Sequence, residues 1–192
     1  MAMLRLAVLL SGTGRTLDNL HDEIQAGRLA ASIQVVASNV PGVLGLEKAK
    51  RYGYPTVVSK TVAGINDGIA PFALDLVCLC GFLKLYTPPK GLEKAVLNVH
   101  PSLIPAFCGD GFYGMRVHRA VKEKGVKVSG CTVHFANEVY DDGPIVVQKC
   151  VPLDDDDTPE DIAARVFQAE CEAYPEAINQ VAEKGIHSFW KR

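Results

Sequence analysis

Residues 4–17 read Leu4-Arg5-Leu6-Ala7-Val8-Leu9-Leu10-Ser11-Gly12-Thr13-Gly14-Arg15-Thr16-Leu17, and this stretch decides the fold. An almost continuous apolar run meets a turn holding two glycines, and Leu17, Leu20 and Ile24 then follow at the spacing of one helix face. The stretch specifies a strand, a tight loop and a helix. Working outward, the same alternation recurs, with strands expected at residues 33–37, 55–58, 76–80 and 96–99 and a helix at 45–52. Strands that read as unbroken apolar runs are buried on both faces, which requires a parallel sheet covered by helices on both sides, an α/β architecture.

Further along, a helix is expected at 118–124, and residues 128–135 and 144–151 read as strands close enough to pair antiparallel, so the sheet is mixed. Thr158-Pro159-Glu160-Asp161 supplies an N-cap, a first-turn proline and acidic residues ahead of Ile162, Val166, Ala169 and Ala173, predicting a long helix from 159 to about 183. The connection between 58 and 74 is the exception. Thr61-Val62-Ala63-Gly64-Ile65-Asn66-Asp67-Gly68 is poor helix material, and an irregular crossover is expected there.

At 192 residues the chain fits one domain, with halves at about 1–95 and 96–192. Its composition, 48% apolar and 22% charged, is that of a soluble globular protein, and Ser11-Gly12 breaks the first apolar run long before a membrane span is reached. No targeting segment is readable. A net charge of -2 argues against a nucleic-acid binder while leaving room for small anionic ligands held locally. The six cysteines include no CxxC pair and mostly sit in apolar surroundings, the pattern of reduced thiols and a cytoplasmic setting.

Three places carry chemistry. Ser11-Gly12-Thr13-Gly14-Arg15-Thr16 joins the first strand to the first helix, where backbone N–H groups and the positive helix end suit a phosphate, although it matches neither a P-loop nor a dinucleotide fingerprint. Asn98-Val99-His100-Pro101-Ser102-Leu103-Ile104-Pro105 ends the fifth strand, at the sheet edge where ligands of open α/β folds collect. Asn98 and His100, two apart on a strand, project from one side and suit acyl chemistry without a metal. Asp141, in a turn between the two antiparallel strands, is a carboxylate suited to raise the imidazole pKa and favour its cationic form; Asp142 is its rival.

These motifs, with Cys80-Gly81-Phe82-Leu83-Lys84-Leu85, Gly130-Cys131-Thr132-Val133-His134-Phe135, Asp141-Asp142-Gly143-Pro144 and Ala169-Glu170-Cys171-Glu172-Ala173-Tyr174-Pro175, resemble the phosphoribosylglycinamide formyltransferases through most of the chain. The resemblance implies a Rossmann-like formyltransferase fold and transfer of formyl from 10-formyltetrahydrofolate, a cosubstrate with no tightly bound cofactor beside it, to the amine of glycinamide ribonucleotide in purine synthesis. It implies Asn98, His100 and Asp141 as the catalytic trio. Gly12, Thr13, Gly14, Arg15, Thr16 and Glu170 match the phosphate and ribonucleotide site. Leu83, Lys84, Leu85 and Tyr86, with Asn137, Glu138, Val139, Tyr140 and Asp141, match the formyl-folate pocket, where Asn98 also faces. The implied partners are small molecules, not nucleic acid or membrane, for a monomer or homodimer.

The chain departs from the family at three points. Arg15-Thr16 stands where many relatives have Ser-Asn, Asp142 adds charge near the imidazole, and residues 59–72 are shorter than usual, leaving no arginine for the folate. Gly109-Asp110-Gly111-Phe112-Tyr113-Gly114 suits a flap. The rivals are an amino-sugar formyltransferase, a formyltetrahydrofolate hydrolase, and a non-catalytic relative that binds nucleotide or folate. No metal is expected, since His118 and His134 lack ligand spacing and Asp154 to Asp157 read as a solvated helix cap. Cys78 and Cys80 read as core, and Cys108 as a more exposed thiol in the flap region.

Overall fold

The computed structural model describes residues 3–191. Within it one seven-stranded sheet runs in the order β3-β2-β1-β4-β5-β6-β7. The strands are β1 Leu4–Leu10, β2 Ala31–Ser38, β3 Thr56–Val58, β4 Leu76–Leu79, β5 Val96–His100, β6 Val128–Phe135 and β7 Ile145–Pro152. The first five are parallel, β6 runs antiparallel to β5 and β7 antiparallel to β6, as the unbroken apolar runs and the short 136–144 link require. After β3 the chain returns past β1 to place β4 on its other side. That reversal opens a crevice between the carboxyl ends of β1 and β4, the place where such sheets bind ligands.

Alternation along β1 builds two cores. Leu6, Val8 and Leu10 join Leu17 and Leu20 of α1 (Arg15–Gln25), Ala49 of α2 (Leu44–Arg51), Val117 and Val121 of α4 (Met115–Lys124) and the apolar stripe of α5 (Pro159–Lys184). Ala7 and Leu9 face the other way, onto Ile65 and Ile69 of α3 (Val62–Ile69), Phe82 and Tyr86. A short 3-10 helix, Ile186–Lys191, follows α5 and sets Phe189 against Phe135. Among the described residues, no helix is long and apolar enough to cross a membrane.

The crossover expected to be irregular is a helix. In α3 the Thr61 hydroxyl caps the first turn by accepting from Gly64 N at 3.1 Å, and Ile65 and Ile69, four apart, are buried. Asn66 ties it to the following loop, accepting from Tyr86 Oη at 2.8 Å and donating to Thr87 O at 3.0 Å. Burying two isoleucines is worth several kcal/mol, more than the roughly 1 kcal/mol that each glycine subtracts.

Helix α5 begins with the expected capping box: Thr158 and Asp161 bond each other's backbone N–H. It continues through Pro175, and the buried Tyr174 hydroxyl lies 2.9 Å from Leu97 O and 3.2 Å from Leu79 O. That shared hydrogen bond docks the helix on the ends of β4 and β5. It thereby fixes Glu170, one turn earlier, beside the crevice.

Candidate active site

A cavity of about 480 Å³ occupies the crevice. Its walls come from the loop after β1 (Gly12, Thr13, Gly14, Arg15, Thr16), the loop after β4, the end of β5 (Asn98, His100), residues 109–114, Asp141, and one face each of α4 and α5. A smaller recess of about 60 Å³ adjoins it, sharing Phe82, Asn98, Tyr140 and Asp141. The flap residues therefore form a wall of the main cavity, with Gly109 N donating to Asp141 Oδ2 at 2.9 Å.

The loop after β1 closes tightly because glycines leave room. Gly14 caps α1 with φ of 72°, and a Cβ there would sit 2.7 Å from Gly45 Cα. Gly45 N in turn donates to Gly12 O at 3.0 Å, so the start of α2 clamps the loop. Arg15, at the first turn of α1, lays its guanidinium 4.1 Å above the Phe167 ring. Phe167 and Glu170, three apart on α5, share the cavity-facing side. Burial pushes the Glu170 carboxyl up to about 7, with the Arg15 charge restraining the shift.

At the other end of the cavity the chemistry concentrates. The β5–β6 register sets Asn98 opposite His134, and Asn98 Nδ2 lies 3.1 Å from His134 Nε2. His134 Nδ1 faces Phe135 O at 3.0 Å and must carry the ring hydrogen, so Nε2 accepts from Asn98 and leaves the amide's second hydrogen for a ligand. His100, the last residue of β5 rather than the residue after it, donates from Nε2 to Phe107 O at 2.9 Å. Asp141 stands between the two rings, 3.4 Å from His100 Nδ1 and 3.6 Å from His134 Nε2. Asp142 is excluded from this cluster. It is exposed and accepts from Asn137 Nδ2 at 3.1 Å, so the extra negative charge expected beside the imidazole turns outward.

The electrostatics correct one expectation. Burial pushes the His100 imidazole below its ordinary pKa; the Asp141 charge and the Phe107 carbonyl recover only part of the shift, and His134 adds to it. For Asp141 burial acts upward, but the Gly109 N–H, joined by the charge of His134 and His100 whenever those rings are protonated, holds the carboxyl below its ordinary value. These two directions conflict if the pair is taken as a full ion pair, since a neutral His100 lends Asp141 no charge. Geometry favours an ionised Asp141 beside a neutral imidazole: Gly109 N–H binds the carboxylate directly, whereas 3.4 Å is long for a charge-assisted hydrogen bond. His100 is thus poised to receive a proton at Nδ1, not to start as a cation.

Of the segments assigned to the folate, Lys84, Leu85, Tyr86, Asn137, Val139, Tyr140, Asn98 and Asp141 line the smaller recess, and Leu83 lines the main cavity. Glu138 lies outside both linings, and Tyr86 is a buried floor whose hydroxyl is spent on Asn66. Leu83, Leu85, Val139 and Tyr140 are exposed apolar side chains around the opening. Cys78 and Cys80 are buried core, and Cys108 is half-buried. Among the described residues no group of His, Cys, Asp or Glu could hold a metal. The spacing of Phe167 and Glu170 was a readable sign of a shared helix face. His134 came only with the strand register, and His118, which also lines the cavity, only with the docking of α4.

A formyl transferase family model matches residues 4–178. The chain belongs to the formyl transferase family. The chloroplastic phosphoribosylglycinamide formyltransferase of Vigna unguiculata is 35% identical over 98% of this chain, and the trifunctional purine biosynthetic protein adenosine-3 of Gallus gallus is 39% identical over 95%. The chain spans 63% of the length of the first and 19% of the second. The crystal structure of glycinamide ribonucleotide transformylase 1 from Symbiobacterium toebii superposes with a TM-score of 0.85 at 38% identity, covering 95% of this chain and 89% of that one. Formyl transferase architecture therefore accounts for the parallel sheet, its two antiparallel strands and the crevice between β1 and β4.

Proposed function

We propose that this formyl transferase moves a formyl group from 10-formyltetrahydrofolate to the amine of glycinamide ribonucleotide, a step of purine synthesis. The observation that carries the proposal is one cavity with a glycine loop and Arg15 at one end and Asn98, His100 and Asp141 at the other. A phosphate at the loop meets backbone N–H groups, the positive end of α1 and a guanidinium steadied on Phe167. Glu170 faces the intervening space, where a ribose would place its hydroxyls. The recess lined by Lys84, Leu85, Val139 and Tyr140, open to solvent through exposed apolar side chains, suits the flat ring of a folate.

The chemistry follows from the atoms. The amine attacks the formyl carbon, and the carbonyl oxygen becomes an oxyanion within reach of the free Asn98 amide hydrogen. One such donor aimed at developing charge is worth about 3–4 kcal/mol of barrier. His100 Nδ1 takes the proton released by the attacking nitrogen, directly or through water, and the Asp141 carboxylate stabilises the imidazolium as it forms. The same proton then passes to the departing folate nitrogen. The C–N bond to the folate breaks and both groups return to their starting states.

The deciding experiment mixes protein, 10-formyltetrahydrofolate and glycinamide ribonucleotide and follows deformylation of the folate by absorbance. Turnover is expected only with both substrates present. Deformylation without the ribonucleotide would make the protein a hydrolase, the activity named for the similar Pseudomonas putida formyltetrahydrofolate deformylase, which shares 26% identity at a TM-score of 0.80. No deformylation in either mixture would reduce the protein to a binding relative.

A further inference from the structure

His118 is a third cavity histidine that the chemistry above does not use. It sits in the first turns of α4 between Val117 and Val121, both fully buried, and is itself only 5% exposed. Its Nδ1 is buried without a hydrogen-bond partner. An unpaired polar atom in such a place costs about 1–3 kcal/mol, and an apolar residue on this core-facing side of α4 would avoid that cost. No interaction within the described residues offsets it.

The ring's surroundings indicate why a histidine stands there. It lines the main cavity, where the Arg15 charge acts on it, as does the charge of His100 once that ring takes up a proton, which sets it between the reacting end and the phosphate-loop end. Burial and those two neighbours push its pKa down to about 4, so the ring is neutral in use and carries one hydrogen. An unpaired buried N–H is rarer and more unfavourable than an under-used acceptor, so Nδ1 stays bare in the core and the hydrogen belongs on Nε2.

We propose that His118 is a binding residue for the sugar-phosphate of the amine substrate, its Nε2–H donating to a ribose or phosphate oxygen midway between the glycine loop and His100. The inference rests on the cavity being a ribonucleotide site. The role is that of a neutral donor: it fixes where the amine lies relative to Asn98 and takes no part in the proton transfers. Sequence offered no sign of it, because the residue falls on an ordinary amphipathic helix and becomes a wall of the cavity only when α4 packs on α5.

The test uses two variants and two readouts. His118→Phe keeps the ring volume and removes the donor; His118→Gln restores a donor near the Nε2 position. For His118→Phe the KM for glycinamide ribonucleotide should rise at least 10-fold, with kcat within about 3-fold and the KM for the formyl-folate unchanged, and His118→Gln should recover most of the loss. Independently of formyl transfer, ribose 5-phosphate should shift the His118 ring nitrogen signals in the nuclear magnetic resonance spectrum of the wild-type protein. It should bind at least 10-fold more weakly to His118→Phe. Unchanged ribose 5-phosphate affinity in that variant, or unshifted ring signals if the variant does not fold, overturns the inference. A fall in kcat alone would also overturn it, by making His118 a support for His100. A wild-type protein that transfers no formyl group but binds ribose 5-phosphate through His118 would sink the proposed activity and leave this inference standing.

Discussion

Asp141 holds its position through an unusual backbone and three converging contacts. Its φ of 57° is in the left-handed region, which Asp and Asn tolerate better than other side chains that carry a Cβ. From there the carboxylate accepts from Gly109 N and faces both His100 and His134. Asp141→Asn keeps the backbone conformation and an acceptor for Gly109 but removes the charge proposed to stabilise the imidazolium. We predict a fall in kcat on the order of 10²–10³-fold with KM values within about 3-fold, measured by steady-state kinetics. A kcat within 3-fold of wild type would remove Asp141 from the proton transfer. At this scale the sequence went far: Asn98, His100 and Asp141, singled out by residue type and position, line one cavity. It did not reveal that burial outweighs Asp141 in setting the His100 imidazole, because a charge sequence contains no measure of desolvation.

The element that carries Asp141 is the link from β6 to β7, and it is pinned at both ends. Phe135 N donates to Pro144 O at 2.9 Å and Ala136 N to Val96 O at 2.8 Å. Gly143 closes this link so tightly that a Cβ there would fall 1.8 Å from Phe135 O, a contact no side chain can make. Gly143→Ala must push the link off the sheet and carry Asp141 with it. Expected results are at least a 10-fold loss of kcat together with a lowered melting temperature, read by kinetics and thermal unfolding of the same sample; wild-type values for both would show the link to be more yielding than this contact implies. Helix α3 teaches the opposite lesson about legibility. Its two glycines speak against a helix locally, and the burial of Ile65 and Ile69 against the sheet overrides them. Helix α5 was legible from its first residues, since a capping box is a local hydrogen-bond pattern that needs no partner element.

Across the whole molecule, two titratable groups that line one cavity, the buried His118 and the half-buried Glu170, oppose each other. Glu170 is raised from 4.5 to about 7, so the folded state holds its proton more tightly than the unfolded chain, and stability falls as pH rises from about 4.5 to 7. His118 is lowered from 6.5 to about 4, so its contribution is present above pH 6.5 and is lost as pH falls toward 4. The two slopes nearly cancel in the wild-type protein between about pH 4.5 and 6.5, where the windows overlap. Glu170→Gln removes one of them. We predict that urea unfolding finds this variant more stable than wild type at pH 8, by at most about 3 kcal/mol because Glu170 is half-buried and partly screened, with the difference vanishing near pH 4. An unchanged difference at both pH values would mean that Glu170 is ionised in the folded state at no cost. Sequence by itself determined the parallel α/β sheet, its antiparallel end, the long capped helix and the residue types of the site, because hydrophobic period, glycine turns and caps are all local. Only the tertiary structure decided which Asp faces His100, that His134 holds the Asn98 amide, and that His118 and Phe167 complete the wall. Each depends on strand register, helix docking or burial, which arise only when segments distant in the chain exclude water from one another.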